Sequence, residues 1–380
     1  MNSWQEYSLG ELLPYEQPTP YIVESTDYND NYKTPVLTAG KSFIIGYTNE
    51  PNGIYDKVPV IIFDDFTTST QYVNFPFKVK SSAMKILTAK TDLVLPKFIF
   101  YRMQLIGFDH STHKRYWIQQ YSKIKVRIPL LKEQERIVAR IEELFSELDS
   151  GVETLKMIKS KVDRYKYSVI DSVLPSENQK SIADCIKEMG QGWSPKCERV
   201  NVVDDDNWAV IKTTAVQPCK FLFDENKALP SSLAPRERHE IMAGDILITR
   251  AGPKSRCGVC CMVRKTKRRL LNCDKVYRLR LHEDIVLPQY LEYVLNSPAF
   301  IQEINLCKTG GNDSGLNLTQ DRFLSIRIPV PSIKKQEEIV SEIESRRSVC
   351  DSIEKTVDAA LQQADALRQS ILKKAFEGGL

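Results

Sequence analysis

A chain of 380 residues, 42% of them hydrophobic, is long enough for two or three domains with proper cores. No apolar run reaches the roughly 18 residues of a membrane span, and the polar start MNSWQE lacks the features of a secretory signal. The net charge of +4 selects no partner by itself, and nine irregularly spaced cysteines, all from Cys185 onward, predict free thiols in a reducing cytoplasm.

In chain order, VPVIIF (58–63) predicts a buried strand that ends at Asp64-Asp65 and is followed by the hydroxyl-rich loop Thr67-Thr68-Ser69-Thr70. LPKFIFY (95–101) places proline in a first turn ahead of aromatic residues, the start of a helix packed on a sheet. WAVIKTT (208–214) predicts a strand running into a polar turn, AGDILITRAG (243–252) a strand between two turns, and GVCCMV (258–263) a further apolar strand. LPQYLEY (287–293) repeats the proline-led helix start.

The strongest signal is a long internal repeat. RIPLLKEQERIV (127–138) returns as RIPVPSIKKQEEIV (327–340), and after a two-residue insertion Ile141-Glu142 aligns with Ile343-Glu344 and Asp149-Ser150 with Asp351-Ser352. Ile137, Ile141, Leu144, Leu148, Gly151, Leu155, Ile158, Val162, Tyr165 and Val169 step by four and three, a heptad seam. Ile339, Ile343, Arg346, Cys350, Ile353, Val357, Ala360, Ala364, Leu367 and Ile371 keep the same register with weaker knobs. Each copy predicts a helix of about 40 residues, roughly 60 Å long at 1.5 Å per residue. An amphipathic helix of that length is unstable alone in water, so the two copies are expected to pack on each other, antiparallel, with a globular module at each end of the rod. The chain then reads as a module over 1–130, a helix within 131–175, a second module over 176–331 and a closing helix within 332–380.

Charge is unevenly distributed. Residues 78–127 hold eleven Lys and Arg against two acidic residues, and residues 245–280 again hold eleven against two. One such segment alone reads equally well as a solvated face. Two, one per module, point to a polyanion such as DNA.

The enzyme motifs fail on inspection. Gly40-Lys41-Ser42 resembles the tail of a P-loop, but Pro35 occupies the position of its first glycine and the following FIIGY is β-like. A metal-dependent nuclease would need a second carboxylate two residues before a lysine, and Lys78-Val79-Lys80 offers none after Asp64-Asp65. The NPPY-like tetrad of an amino-methyltransferase is absent. His110 and His113 beside Asp109 read as loop residues, and Cys257, Cys260, Cys261 and Cys273, chemically able to bind zinc, sit among strand-like Val259, Met262 and Val263. The chain is expected to be non-catalytic and to hold no metal.

Several of these motifs together resemble one family. The repeated segment, IPVPSIKKQEEIV in its second copy, is similar to the conserved regions of type I restriction-modification specificity subunits, and the close LRQSILKKAFEGGL (367–380) resembles their C-terminal signature. AGDILITRAG, the two Leu-Pro helix starts and TPVLTAGK (34–41) resemble segments of their target recognition domains. The first repeat departs from the pattern by ending YSVIDSVL (167–174) without the alanine-glycine close, and the cysteine-rich strand is unusual.

The resemblance implies an α+β chain with two tandem globular α/β target recognition domains, two long antiparallel coiled-coil helices and a pseudo-twofold internal repeat. Each module would read one half of a split, asymmetric site on double-stranded DNA, and the helices would set the gap, about one helical turn. Two methylation subunits carrying S-adenosylmethionine would dock on the helices, and restriction subunits using ATP and Mg2+ would join them in the cytoplasm. Recognition needs Arg or Lys forks, amides and hydroxyls. The candidates are Lys41, Thr67, Thr68, Ser69, Gln71, Lys78 and Lys80 in the first module. In the second they are Lys212, Thr213, Thr214, Arg250, Lys254, Ser255, Arg256, Lys275 and Asn312. Ile137, Ile141, Leu148, Leu155, Ile339, Ile343, Ile353 and Leu367 are assigned to the spacer seam. The alternative is a stand-alone DNA-binding protein without a methylation partner.

Overall fold

The computed structural model describes residues 4–38, 42–107, 115–176 and 178–378. The chain divides into two compact units, Met1–Leu155 with Ala359–Leu380, and Lys156–Asp358. Among the described residues no helix is long and apolar enough to cross a membrane.

In unit one the strands Tyr15–Glu16, Met84–Leu87, Val60–Asp64 and Thr70–Val73 form a four-stranded antiparallel sheet in that spatial order. Val60–Asp64 is buried along its whole length. Ile61 and Phe63 join a core shared with the helix Pro96–Met103, while Val60 and Ile62 join a second core on the other face, as the period of two requires. That second face is closed by a sheet of Ile44–Thr48, Thr34–Leu37 and Lys78–Val79, the last pair parallel.

Unit two repeats this plan strand for strand. Ile186–Gln191, Val276–Leu281, Ile246–Thr249 and Cys260–Met262 build the four-stranded sheet. Asn226–Ala228, Ala209–Ile211 and Leu270–Leu271 build the three-stranded one, again with a parallel last pair. Unit two adds the helix Pro298–Leu306 and a small sheet of Ala251–Gly252, Leu316–Leu318 and Lys308–Thr309, which have no counterpart among the described residues of unit one.

One glutamine ties the two repeated motifs together in each unit. Gln134 is fully buried; its Oε1 accepts from Leu95 N at 2.8 Å, and its Nε2 donates to the carbonyls of Leu93 (2.9 Å) and Pro129 (2.8 Å). Gln336 makes the same three bonds, to Leu287 N (2.9 Å), Ile285 O (2.9 Å) and Pro331 O (2.9 Å). The Leu-Pro helix start is thus locked to the first turn of the long helix, and a buried amide is satisfied.

The repeat also acquires a corrected alignment. Ser8 pairs with Lys125 and Ser181 with Arg327 in two short antiparallel ladders. Each serine caps a one-turn helix through a capping box, with Glu11 in one copy and Asp184 in the other. Lys125 therefore corresponds to Arg327, Pro129 to Pro331 and Gln134 to Gln336 at one constant offset. The two-residue insertion inferred from the sequence does not exist; Pro329 merely resembled Pro129 in its neighbours.

The long helices run Leu131–Val173 and Ile333–Glu377. In unit one Arg368 pairs with Asp149, its guanidinium lies 4.2 Å from the Phe145 ring centroid, and Phe376 packs edge-on to Phe98. In unit two Lys159 pairs with Asp358 at 2.6 Å, and Lys166 with Asp351 at 2.7 Å and Glu354 at 2.6 Å. In unit two the partner number falls, from 358 to 351, as the position rises from 159 to 166, so the helices there run antiparallel.

Half of the seam differs from the sequence reading. Ile343, Cys350, Val357, Ala364 and Ile371 are buried at every seventh position, and Ile137, Ile141 and Ile339 are buried with them, while Leu148 and Leu155 are half-buried. The alternate positions shift by one residue. Ile158 and Tyr165 face solvent and Lys166 turns inward, while Lys159 pairs with Asp358 at the rim; Ile353 and Leu367, 39% and 50% exposed, give way to Glu354 and Arg368. The apolarity of Ile158 and Ile353 hides this register. Lysine, arginine and glutamate lay their aliphatic stems along the seam and pair their heads across it.

Candidate nucleic-acid interface

The candidate loops of both units emerge at one end of the equivalent four-stranded sheets. In unit one this end holds the hairpin 65–69 between Val60–Asp64 and Thr70–Val73, and residues 80–83 leading into Met84–Leu87. In unit two it holds the longer hairpin 250–259 and residues 272–275 leading into Val276–Leu281. Segments chosen from composition alone thus occupy corresponding places.

The unit-one hairpin is organised by its two aspartates. Asp64 Oδ1 accepts from Phe66 N at 2.8 Å and Asp64 Oδ2 from Thr67 Oγ1 at 2.7 Å. Asp65 is buried with Lys85, their charges 3.1 Å apart at side-chain exposures of 1% and 0%. Thr68 adopts φ of 55°, rare for a β-branched residue. Thr67, Ser69 and Gln71 are exposed, Thr68 half-buried and Lys80 exposed. Lys78 is not at the surface. It is 3% exposed, 2.7 Å from Glu50, and donates to Asn52 O at 2.6 Å. Its place on a buried edge strand of the small sheet, facing Glu50 and Asn52, gives its ammonium structural partners, which a charge count does not reveal. Lys41 lies outside the described residues, as do Asp109, His110 and His113.

The unit-two hairpin is held from the side. Arg256 donates to Thr213 O (2.6 Å), Val216 O (2.8 Å) and Gln217 Oε1 (3.1 Å), so its guanidinium joins two loops and is not displayed outward. Arg250 donates to Asp274 O at 3.2 Å and lies 5.5 Å from the Tyr277 ring centroid. Lys254 N donates to Asp313 O at 2.8 Å, and its ammonium lies 3.6 Å from that side chain, which brings the loop of Asn312 alongside. Lys254, Ser255, Lys275 and Asn312 are exposed. Thr214 donates to Glu225 at 2.7 Å, with Lys212 3.5 Å from the same carboxylate. That glutamate is held below the usual range by the Thr214 hydroxyl first and the Lys212 charge next.

Sequence reasoning missed Trp193 and Arg236, which lie 4.4 Å apart as a cation–π pair beside the 272–275 segment. A lone tryptophan in a Gly-Trp-Ser loop carries no motif, so only geometry could find it. The four cysteines divide between two cores: Cys257 and Cys260 face one, Cys261 and Cys273 the other. Burial pushes the Cys273 thiol up to about 11 and Cys260 well above its ordinary value, which disfavours the thiolate that binds zinc. Among the described residues no three of His, Cys, Asp and Glu converge as a metal-binding group.

Against known proteins, residues 1–159 match the family model described as type I restriction modification DNA specificity domain. The chain is 32% identical to the EcoR124I/EcoR124II type I restriction enzyme specificity subunit of Escherichia coli over 364 residues, 91% of this chain and 87% of that one. It is 38% identical over 195 residues to the EcoEI specificity subunit of Escherichia coli, half of this chain and 33% of that protein. Among solved structures, a chain from a study of assembly and conformational transition of the type I restriction-modification system covers this chain fully, with a TM-score of 0.70 at 17% identity. The HsdS subunit from Thermoanaerobacter tengcongensis likewise covers all of it, with a TM-score of 0.50 at 17% identity. The molecule is thus a duplicated α+β protein of the kind found in type I restriction-modification systems. The chain belongs to the family of type I restriction enzyme specificity subunits.

Proposed function

We propose that each unit reads one half of a bipartite sequence on double-stranded DNA through the loops at the end of its four-stranded sheet. The observation that carries this reading is the pairing of a duplicated scaffold with unlike loops. The hairpins 65–69 and 250–259 occupy corresponding positions but differ in length and chemistry, one hydroxyl-rich and the other basic. Equivalent frames with different contact residues suit two unlike half-sites. The long helices fix the gap between half-sites and dock two methylation subunits.

The chain itself contributes no catalytic group. Methyl transfer belongs to the methylation subunits with S-adenosylmethionine, and cleavage to restriction subunits with ATP and Mg2+. Contact residues are drawn from Thr67, Thr68, Ser69, Gln71 and Lys80 in unit one, and from Arg250, Lys254, Ser255, Lys275 and Asn312 in unit two. Arg256 braces the unit-two loops, and Lys78 is turned inward to Glu50 and Asn52.

The test is a methylation map. The chain is co-expressed with its methyltransferase partner in a host free of adenine methylation, and modified adenines are located by single-molecule sequencing. A new asymmetric, gapped motif is expected. A soluble complex with an active methyltransferase and no new motif would overturn the reading.

A further inference from the structure

Among the basic side chains near the interface end of unit two, Arg236 stands apart. It is exposed, and among the described residues its guanidinium has no hydrogen-bond or ion-pair partner, yet it is not loose: it stacks 4.4 Å from the centroid of Trp193. By contrast Arg250, Arg256 and Arg278 all donate to main-chain carbonyls of their own unit. A stacked guanidinium whose donors are unpaired is pre-organised to bind paired acceptors, because little rotamer freedom remains to be lost.

The platform beneath it is fixed. Trp193 N donates to Asn272 O at 3.0 Å, and the half-buried indole packs against the core of the three-stranded sheet. The preceding Gly192 allows this approach, since a Cβ there would stand 2.2 Å from Asn272 O. Ser194 bonds Asp274, whose amide donates back to the serine hydroxyl at 3.1 Å and whose carbonyl accepts from Arg250. On the other side Asn272 N donates to His239 O at 2.8 Å, and His239 N to Arg236 O at 2.9 Å. A continuous bonded path therefore links the stack to Arg250 and Lys275 at the same end of the sheet.

We infer that the Arg236–Trp193 pair is a DNA-contacting element of unit two, in which the guanidinium fork engages two acceptor atoms of the duplex while the indole holds it in place. The inference rests on the DNA-reading proposal above. Its chemistry has two sources on one ligand, the O6 and N7 atoms of a guanine or the oxygens of a phosphate.

The experiment uses the complex of the full chain with its methylation subunits, and as probe a duplex carrying the site mapped for the wild type. Arg236→Ala is expected to weaken binding about tenfold or more. Arg236→Lys, which keeps the charge but loses the planar fork, is expected to recover only part of it. Relaxation of the methylation motif at one position of one half-site would assign the contact to a base edge. An unchanged motif with a salt dependence shallower by about one phosphate contact would assign it to the backbone. Trp193→Phe, which retains a ring at the same site, is expected to fall between wild type and Arg236→Ala. Wild-type affinity and motif in Arg236→Ala, with the wild-type complex binding normally, would overturn the inference alone. Failure of the wild-type complex to bind or modify any site would instead overturn the reading beneath it.

Discussion

The two hairpins at the corresponding ends of the four-stranded sheets are the same structural element stabilised in two ways. In unit one the turn 65–69 is short and braced from below, by the buried Asp65–Lys85 pair and by Asp65 accepting from Trp117 N at 2.9 Å. In unit two the loop 250–259 is longer and braced from the side, by Arg256 reaching three acceptors on neighbouring turns and by the added small sheet around Ala251–Gly252. A single frame therefore tolerates different loop lengths so long as each loop brings its own anchor. The frame can be duplicated unchanged while the reading surface diverges, because the anchors lie inside and the variable side chains outside.

The largest expected effect tests the brace in unit one. Lys85→Met leaves the Asp65 carboxylate buried without its cation, which costs about 3–5 kcal/mol. Chemical denaturation of the purified chain should show this loss, and proteolysis should place it in unit one. A loss below about 1 kcal/mol would mean that the pair does not support the hairpin. Next in size is the glutamine clip. Gln134→Ala and Gln336→Ala each leave a buried amide N–H and two carbonyls without partners, at about 2–3 kcal/mol apiece. Because the three bonds are the same in both units, the two losses should agree within about 1 kcal/mol. Strongly unequal losses would break the claimed equivalence.

A smaller effect tests the seam. Lys166 is 14% exposed at its side chain and faces two carboxylates, whereas Ile158 is 37% exposed. Lys166→Ala should lower the stability of the chain by about 1 kcal/mol through lost packing and pairing. Ile158→Ala should change it by no more than about 0.5 kcal/mol. The reverse order, with the isoleucine costing more, would restore the register read from hydrophobicity.

Much of this architecture is legible in the sequence, for reasons that can be named. The duplication, the long antiparallel helices, the Leu-Pro helix starts and the buried strands follow from periodicity and turn chemistry, which are local. The role of Gln134 and Gln336 is not, although both sit in the repeated segment; a polar residue in an amphipathic helix reads as solvated until its three partners are placed around it. The seam misled for the opposite reason, since Ile158 and Ile353 satisfy a heptad template while Lys166 and Glu354, which occupy it, do not. Charge counting located the basic segments and could not sort outward cations such as Lys254 and Lys275 from inward ones such as Lys78 and Arg256. The Trp193–Arg236 pair joins residues from two separate loops, and no spacing rule connects them.

The smallest effect concerns Lys78, the lysine that charge counting placed on the DNA. Its ammonium, followed by the backbone N–H groups of Ser25 and Glu24, holds the Glu50 carboxyl below its ordinary value of 4.5. A carboxyl whose value is depressed in the folded chain adds stability that is fully present above the unfolded value. That stability is lost as pH falls through the folded one. Unit one should therefore lose a small increment of stability on acidification below about pH 4.5, and Glu50→Gln should remove that increment while leaving the rest of the acid transition in place. The pair is partly open to solvent on the Glu50 side, 18% exposed, so the increment is a fraction of a kcal/mol. Thermal unfolding from pH 3 to pH 7 for wild type and Glu50→Gln measures it. Parallel curves would mean that Glu50 does not hold Lys78 in place. If Lys78 is turned inward as described, Lys78→Gln should also leave the salt dependence of DNA binding unchanged, unlike Lys80→Gln on the exposed side of the same strand end.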